Sequence, residues 1–180
     1  MTTANKLTLA RVALIPVFLV ILYLDFPGAR YAAFAVFAVA CFTDFIDGYI
    51  ARHYNQITNF GKFMDPLADK VLVMAAMCYL VEIGQMPGWC LSIVLLREFA
   101  VSGMRLVAVE QGRVIAAAWS GKIKTASTML CLCAMLLDIF GQYAWFDPLC
   151  SAVIVLTTAY SGIEYFIKNA DVFREPDKNG

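Results

Sequence analysis

Six long apolar runs, at about 7–24, 31–51, 64–83, 87–109, 117–138 and 145–167, take up most of this 180-residue chain. Each has the length of a helix that crosses a bilayer, roughly 17–25 residues. A helix satisfies its own backbone hydrogen bonds, which lipid cannot do for it. The expectation is an all-α polytopic membrane protein, one domain over residues 1–180 with six transmembrane helices around a cytoplasm-facing polar cavity. Composition points the same way, with 61% apolar and 16% charged residues, against about 45–50% and about 25% in soluble domains. The balance of 14 Lys+Arg against 14 Asp+Glu leaves no basic surplus for nucleic acid. High hydrophobicity without net charge excludes intrinsic disorder. Lys6 and Arg11 ahead of Val12–Leu24 resemble the start of a signal peptide, but no small-x-small cleavage site follows, so a retained helix is expected.

Lys and Arg concentrate on the side that membrane topology assigns to the cytoplasm. With six spans both termini share a side, and Lys6, Arg11, Arg52, Lys62, Lys70, Arg105, Arg113, Lys122, Lys124, Lys168, Arg174 and Lys178 fall there, against Arg30 alone on the other. Both termini and the 52–63 and 109–117 connections are therefore expected in the cytoplasm. Trp89 and Trp145 fall at the outer interface and Trp119 at the inner one. Cys41, Cys78, Cys90, Cys131, Cys133 and Cys150 lie scattered in apolar runs without a Cys-x-x-Cys pair and read as small buried hydrophobes. His53 alone is too little for zinc. The polar stretch Lys168–Gly180 reads as an amphipathic or frayed end.

The chemistry lies in charges placed where they are costly. An ionised side chain inside a span costs several kcal/mol and marks a wet or functional interior. Asp44 and Asp47 are three apart near the end of the second run, and Asp65 and Asp69 four apart at the start of the third, so each pair shares a helix face. A short connection makes these helices antiparallel neighbours, which lets the pairs converge. Four carboxylates at one place need a neutralising cation. Oxygen donors without His or Cys suit Mg²⁺, Mn²⁺ or Ca²⁺, and two such ions clamp a diphosphate and its leaving group. Gly48, Ala51 and Gly61 leave room beside the acids, and Arg52 offers a planar fork to phosphate oxygens. Pro66, placed in the first turn of the third span, is tolerated there.

Written out, the segment is Asp44-x-x-Asp47-Gly48-x-x-Ala51-Arg52, eight residues, Gly61, three residues, Asp65, three residues, Asp69. It resembles, at every position, the signature of the CDP-alcohol phosphotransferase family. Asn5-x-x-Thr8-x-x-Arg11 and the six-helix pattern extend the likeness over essentially the whole chain. The resemblance implies transfer of a phosphatidyl or related group from a CDP-linked donor to an alcohol, with release of CMP, in a bacterial-type plasma (inner) membrane. It implies two divalent ions, Mg²⁺ or Mn²⁺, held by Asp44, Asp47, Asp65 and Asp69. Asp69 would also take the acceptor's proton. Gly48, Ala51 and Gly61 would line the cytidine pocket, with Arg52 near the diphosphate and Thr8 at its edge. Homodimers are common in the family, so the resemblance also allows one here.

The acceptor is read from a second group of charges. Arg97-Glu98 lies near the centre of the fourth run, Arg105 follows eight residues on, and Lys122 and Lys124 enter the fifth. Arg97 and Arg105 lie about 80° apart on an ideal helix, enough to line one broad wall. So many cations suit a phosphorylated acceptor. Leu96-Arg97-Glu98-Phe99, Ser102-x-x-Arg105 and Gly121-Lys122-Ile123-Lys124-Thr125 look like the phosphatidylglycerophosphate synthase branch. That implies CDP-diacylglycerol as donor and sn-glycerol 3-phosphate as acceptor, bound by Arg97, Arg105, Lys122 and Lys124.

Plainer readings stand beside these. The carboxylates also suit a structural cation site, Arg97–Glu98 a buried ion pair that fixes helix register, and Lys122 an interfacial anchor. Within the family, serine or inositol phosphate is the competing acceptor. Outside it, an ion transporter also uses intramembrane acids, but lacks a reason for Gly48, Ala51 and Gly61 at these offsets, and no inverted repeat is visible. An intramembrane prenyltransferase would use aspartates without the Gly-x-x-Ala-Arg element.

Overall fold

The computed structural model describes residues 3–24, 26–53, 59–113, 115–116 and 118–173, without the side chains of 3–8, 11, 44–53, 59–63, 65 and 66. Among the described residues the regular structure is entirely helical: α1 (Thr3–Tyr23), α2 (Ala29–His53), α3 (Asn59–Glu82), α4 (Gly88–Glu110), α5 (Trp119–Leu136), α6 (Phe146–Lys168) and a closing 3-10 turn (Ala170–Phe173). Each α-helix overlies one apolar run. Among the described residues α6 is long and apolar enough to cross a membrane, and α1 and α2 contribute shorter apolar stretches, Val12–Tyr23 and Ala29–Thr43. α4 is interrupted by Arg97, Glu98 and Arg105, the same residues that suggested function.

Two compact units divide the chain, Met1–Gly84 with Leu132–Gly141, and Gln85–Cys131 with Gln142–Gly180. In the first, α1 packs along both α2 and α3, and α2 along α3. The buried positions recur at helical spacing: Ile15, Phe18 and Leu22 on α1, Ala33, Phe37 and Ala40 on α2, Ala68, Leu72, Ala76 and Leu80 on α3. Alanines on α2 and α3 let backbones approach closely, the usual device where lipid removes any hydrophobic drive between helices. Phe18 and Phe37 fill the remaining space, their rings 5.8 Å apart and tilted by 43°. Leu132, Met135 and Leu136 of α5 are also buried, and Arg30 donates to the Met135 carbonyl at 2.9 Å and to Asp138 at 3.2 Å.

In the second unit α4 packs against α6, through Cys90, Val94, Glu98, Val101, Met104 and Ala108 on one helix and Cys150, Ser151, Ile154, Thr158, Ser161 and Tyr165 on the other. Large apolar side chains such as Leu96, Phe99, Leu106, Leu156, Ile163 and Ile167 point outward, the reverse of a water-facing surface. Pro87 stands at the N-cap of α4 and presets its entry. α4 ends at Gly112, whose φ of 72° is in the left-handed region. Its N–H returns to the Val109 carbonyl and that of Arg113 to the Ala108 carbonyl, at 2.9 and 2.8 Å, closing the helix as glycine caps do.

Two sequence expectations are corrected here. α3 begins at Asn59, so Pro66 lies inside the helix, not in its first turn. The stretch after Lys168 is not simply frayed. Residues 170–173 turn back, Val172 is buried with Val101, Met104, Ala108 and Tyr165, and Arg113 pairs with Asp171 at 2.6 Å. The buried Val172, this ion pair, a hydrogen bond from Gln111 Nε2 to the Val172 carbonyl at 2.9 Å and the stacking of Phe173 on Phe166 hold the segment, none visible as helical periodicity. Residues 174–180 lie outside the described residues.

Candidate active site

The signature residues all fall on helix. Asp44, Asp47, Gly48, Ala51 and Arg52 occupy the last turns of α2; Gly61 is in the first turn of α3, and Asp65 and Asp69 follow at one-turn intervals. Spacings of three, four and seven put Asp44, Asp47, Gly48 and Ala51 on one face of α2. Spacings of four put Gly61, Asp65 and Asp69 on one face of α3. The two helices pack together. Asp69 is half-buried; the side chains of Thr8, Asp44, Asp47, Arg52 and Asp65 lie outside the described residues. Among the described residues no group of three His, Cys, Asp or Glu side chains forms a metal cluster. The donor set still fits a hard divalent cation, since it offers only carboxylate oxygens, from two packed helices, with room left by Gly48, Ala51 and Gly61.

The second group of charges is assembled by α4, α5 and α6. Glu98 Oε1 accepts hydrogen bonds from Lys124 Nζ at 2.6 Å and from Arg97 Nη1 at 2.9 Å. Arg97 Nη2 donates to Ser161 Oγ at 2.7 Å. Eight residues on, Arg105 Nε donates to the Tyr165 hydroxyl at 2.8 Å. Both arginines thus fasten to successive turns of α6. The expected Arg97–Glu98 pair is present, and it extends to Lys124 of α5. Lys124 and Glu98 are 7% and 9% exposed, so each must bring its counter-charge with it. Lys122 stands apart from this network, its ammonium 4.6 Å from the Trp119 ring centroid.

Sequence alone explains why α5 can do this. Ser120, Lys124, Thr128, Leu132 and Leu136 are all buried at four-residue spacing, so one face begins polar and ends apolar. One glycine makes room for the arginine. A Cβ on Gly162 would stand 3.1 Å from Arg97 Cγ, whereas one on Gly121 would stand at an ordinary contact distance of 3.8 Å from Arg97 Nη2. Ser161, Gly162 and Tyr165 were not among the sequence candidates. The signal that could have found them is a set of hydroxyl-bearing residues at spacings of seven, three and four, Ser151, Thr158, Ser161 and Tyr165, along one face of an otherwise apolar α6.

Chemically, a carboxylate-rich helix pair suits a hard cation and a cation-rich helix trio suits an anion. The family model for CDP-alcohol phosphatidyltransferase matches residues 1–161. A Bacillus subtilis protein named CDP-diacylglycerol–glycerol-3-phosphate 3-phosphatidyltransferase is 43% identical over 185 residues, covering 94% of this chain and 96% of its own. A Mycobacterium tuberculosis protein named probable phosphatidylglycerophosphate synthase is 38% identical over 165 residues, covering 90% and 78%. The Escherichia coli protein bearing the same name as that of B. subtilis is 37% identical over 167 residues, covering 88% and 90%. The signature, its place on two packed helices and a match over most of the chain together make this protein a member of the CDP-alcohol phosphatidyltransferase family.

Proposed function

We propose that this enzyme transfers the phosphatidyl group of CDP-diacylglycerol to sn-glycerol 3-phosphate, giving phosphatidylglycerophosphate and CMP. The observation that carries the reading is that three bacterial proteins named for this reaction or its product match 88–94% of the chain. The buried cations of α4 and α5 support a phosphorylated acceptor over serine or free inositol.

In this reading the whole chain is one functional domain and its six helices span a bacterial plasma membrane, with both termini cytoplasmic. Asp44, Asp47, Asp65 and Asp69 hold two divalent ions, Mg²⁺ or Mn²⁺, which when bound offset the charge of the diphosphate and of departing CMP. Gly48, Ala51 and Gly61 leave space for the cytidine, Arg52 binds diphosphate oxygens and Thr8 borders the pocket. Arg97, Arg105 and Lys124 bind the acceptor phosphate, and exposed Lys122 meets it first. Asp69 accepts the proton of the attacking hydroxyl as its oxygen bonds to the lipid-side phosphorus and the bond to CMP breaks. A homodimer is the assembly proposed.

The test is CMP release by purified protein in detergent with CDP-diacylglycerol and Mg²⁺, with glycerol 3-phosphate, serine, inositol or inositol phosphate as acceptor. Release with glycerol 3-phosphate alone is expected. Release with another acceptor in its place would overturn the acceptor assignment and leave the family chemistry standing.

A further inference from the structure

We propose that Glu98 is the positioning residue of the acceptor site: one carboxylate oxygen gathers Arg97 and Lys124, from two different helices, so that a phosphomonoester meets both cations at once. The inference rests on the acceptor reading above and deepens it. Glu98 is itself negative and cannot bind the phosphate, so its contribution passes through the cations it holds.

The geometry is specific. Lys124 Nζ and Arg97 Nη1 lie 2.6 and 2.9 Å from the same oxygen, Glu98 Oε1. Two positive groups brought that close in a low-dielectric interior repel unless a negative charge lies between them. Without it Lys124, 7% exposed, would be a buried ammonium with no counter-charge beside it and would withdraw from the site. Arg97 is then oriented from its other side, by Ser161 at 2.7 Å and by the space that Gly162 leaves. That arrangement leaves the Arg97 Nε–H buried and without a hydrogen-bond partner among the described residues, a donor available to a phosphate oxygen. Arg97 and Lys124 carry two positive charges against the one carboxylate they share, which leaves positive charge for a phosphomonoester anion to meet. Removing Glu98 would therefore raise the positive charge of the site yet weaken acceptor binding, because placement outweighs net charge when a buried anion must be met by several donors together.

The experiment is CMP-release kinetics in detergent, with acceptor and donor varied separately. Glu98→Gln keeps the shape and removes the charge; it is expected to raise the KM for glycerol 3-phosphate about tenfold or more while the donor KM stays within about twofold. Glu98→Asp restores the charge and is expected to recover much of the loss. In a Lys124→Met background the same Glu98→Gln change should raise the acceptor KM less than about threefold, the non-additivity of residues that act as a unit. An unmoved acceptor KM, an equal rise in donor KM, or a full tenfold effect in the Lys124→Met background would overturn the proposal. If Glu98→Gln alone fails to bind CDP-diacylglycerol, the double variant, which removes the buried ammonium together with its counter-charge, decides by the same comparison with Lys124→Met. Wild-type protein that releases no CMP with glycerol 3-phosphate overturns the acceptor reading instead, and the Glu98 comparison is then made with the acceptor that works.

Discussion

Arg105 donates through Nε to the Tyr165 hydroxyl at 2.8 Å and keeps its guanidinium carbon 5.4 Å from the same ring's centroid. One aromatic residue of α6 thus meets the cation with both its hydroxyl and its ring. Tyr165 is 2% exposed, so its hydroxyl is held in place by the packing of the ring, and a hydroxyl held in place aims the guanidinium. Arg97 is treated alike by Ser161, one turn earlier on α6.

Tyr165→Phe should raise the acceptor KM by a few-fold with little change in donor KM, since it removes one hydrogen bond to a charged group, worth about 1.5–3 kcal/mol, part of which water can replace. Arg105→Ala removes the cation itself and should raise it about ten- to a hundredfold. Steady-state kinetics with each substrate varied checks both. A larger effect on the donor would move Arg105 to the other substrate.

Gly162→Ala should act at a distance from any substrate contact. The added Cβ would meet Arg97 Cγ at 3.1 Å, so the arginine stem has to shift by a few tenths of an ångström. Glu98 and Ser161 hold the far end of that side chain, and the shift strains both bonds. A several-fold rise in acceptor KM is expected, with a melting temperature in detergent lowered by only a few degrees.

Asp69→Asn tests the base. The amide cannot take a proton, while its oxygen still ligates, so turnover should fall by about 10²–10⁴ while CDP-diacylglycerol binding largely survives. Asp44→Ala or Asp65→Ala should weaken Mg²⁺ dependence and donor binding together. A metal titration of CMP release compares the three; an unchanged titration in both alanine variants would falsify the metal assignment.

The closing 3-10 turn provides a pH test away from the membrane. The Arg113 guanidinium hydrogen-bonded to Asp171 holds that carboxyl below the usual aspartate range. A carboxylate whose pKa is depressed by folding stabilises the fold at pH values above its unfolded pKa, and the contribution fades as pH falls through the lowered folded value. Asp171→Asn should therefore melt slightly below wild type at neutral pH, the two converging in the acid range. Both side chains are about half exposed, so the difference is small and should shrink further with salt.

Arg30, Asp138 and Gly141 of the first unit offer a further stability test. A Cβ on Gly141 would fall 1.9 Å from Asp138 Oδ1, and the other oxygen of Asp138 accepts from Arg30. Gly141→Ala must displace the Asp138 carboxylate and loosen that partly exposed pairing, lowering the melting temperature by about a degree or two. In an Asp138→Ala background the same change should cost much less, because the obstructing side chain is gone.

Much of this protein was legible from local rules. A helix bonds each residue to one four positions away, so apolar runs and spacings of three, four and seven in the chain already specify six helices and place Asp44, Asp47, Gly48 and Ala51 on one face. The same rules put Gly61, Asp65 and Asp69 together on α3 and mark Arg97, Glu98, Arg105 and Lys124 as charges that need an explanation. Who supplies that explanation is not local. Lys124 reaches Glu98 across 26 residues, Arg105 reaches Tyr165 across 60, and Arg97 reaches Ser161 across 64. Nothing in helical periodicity selects those partners. They follow from which faces of α4, α5 and α6 pack, which depends on where small residues such as Gly162 let a neighbouring side chain approach. The docking of Val172 and the start of α3 seven residues before Pro66 have the same origin, since tertiary contacts override the end-of-helix preferences that a sequence displays. The sequence determined which residues carry charge and on which helix face they stand; only the packing of the helices decided which of those charges hold one another, because a buried ion pair requires two side chains to arrive at one place.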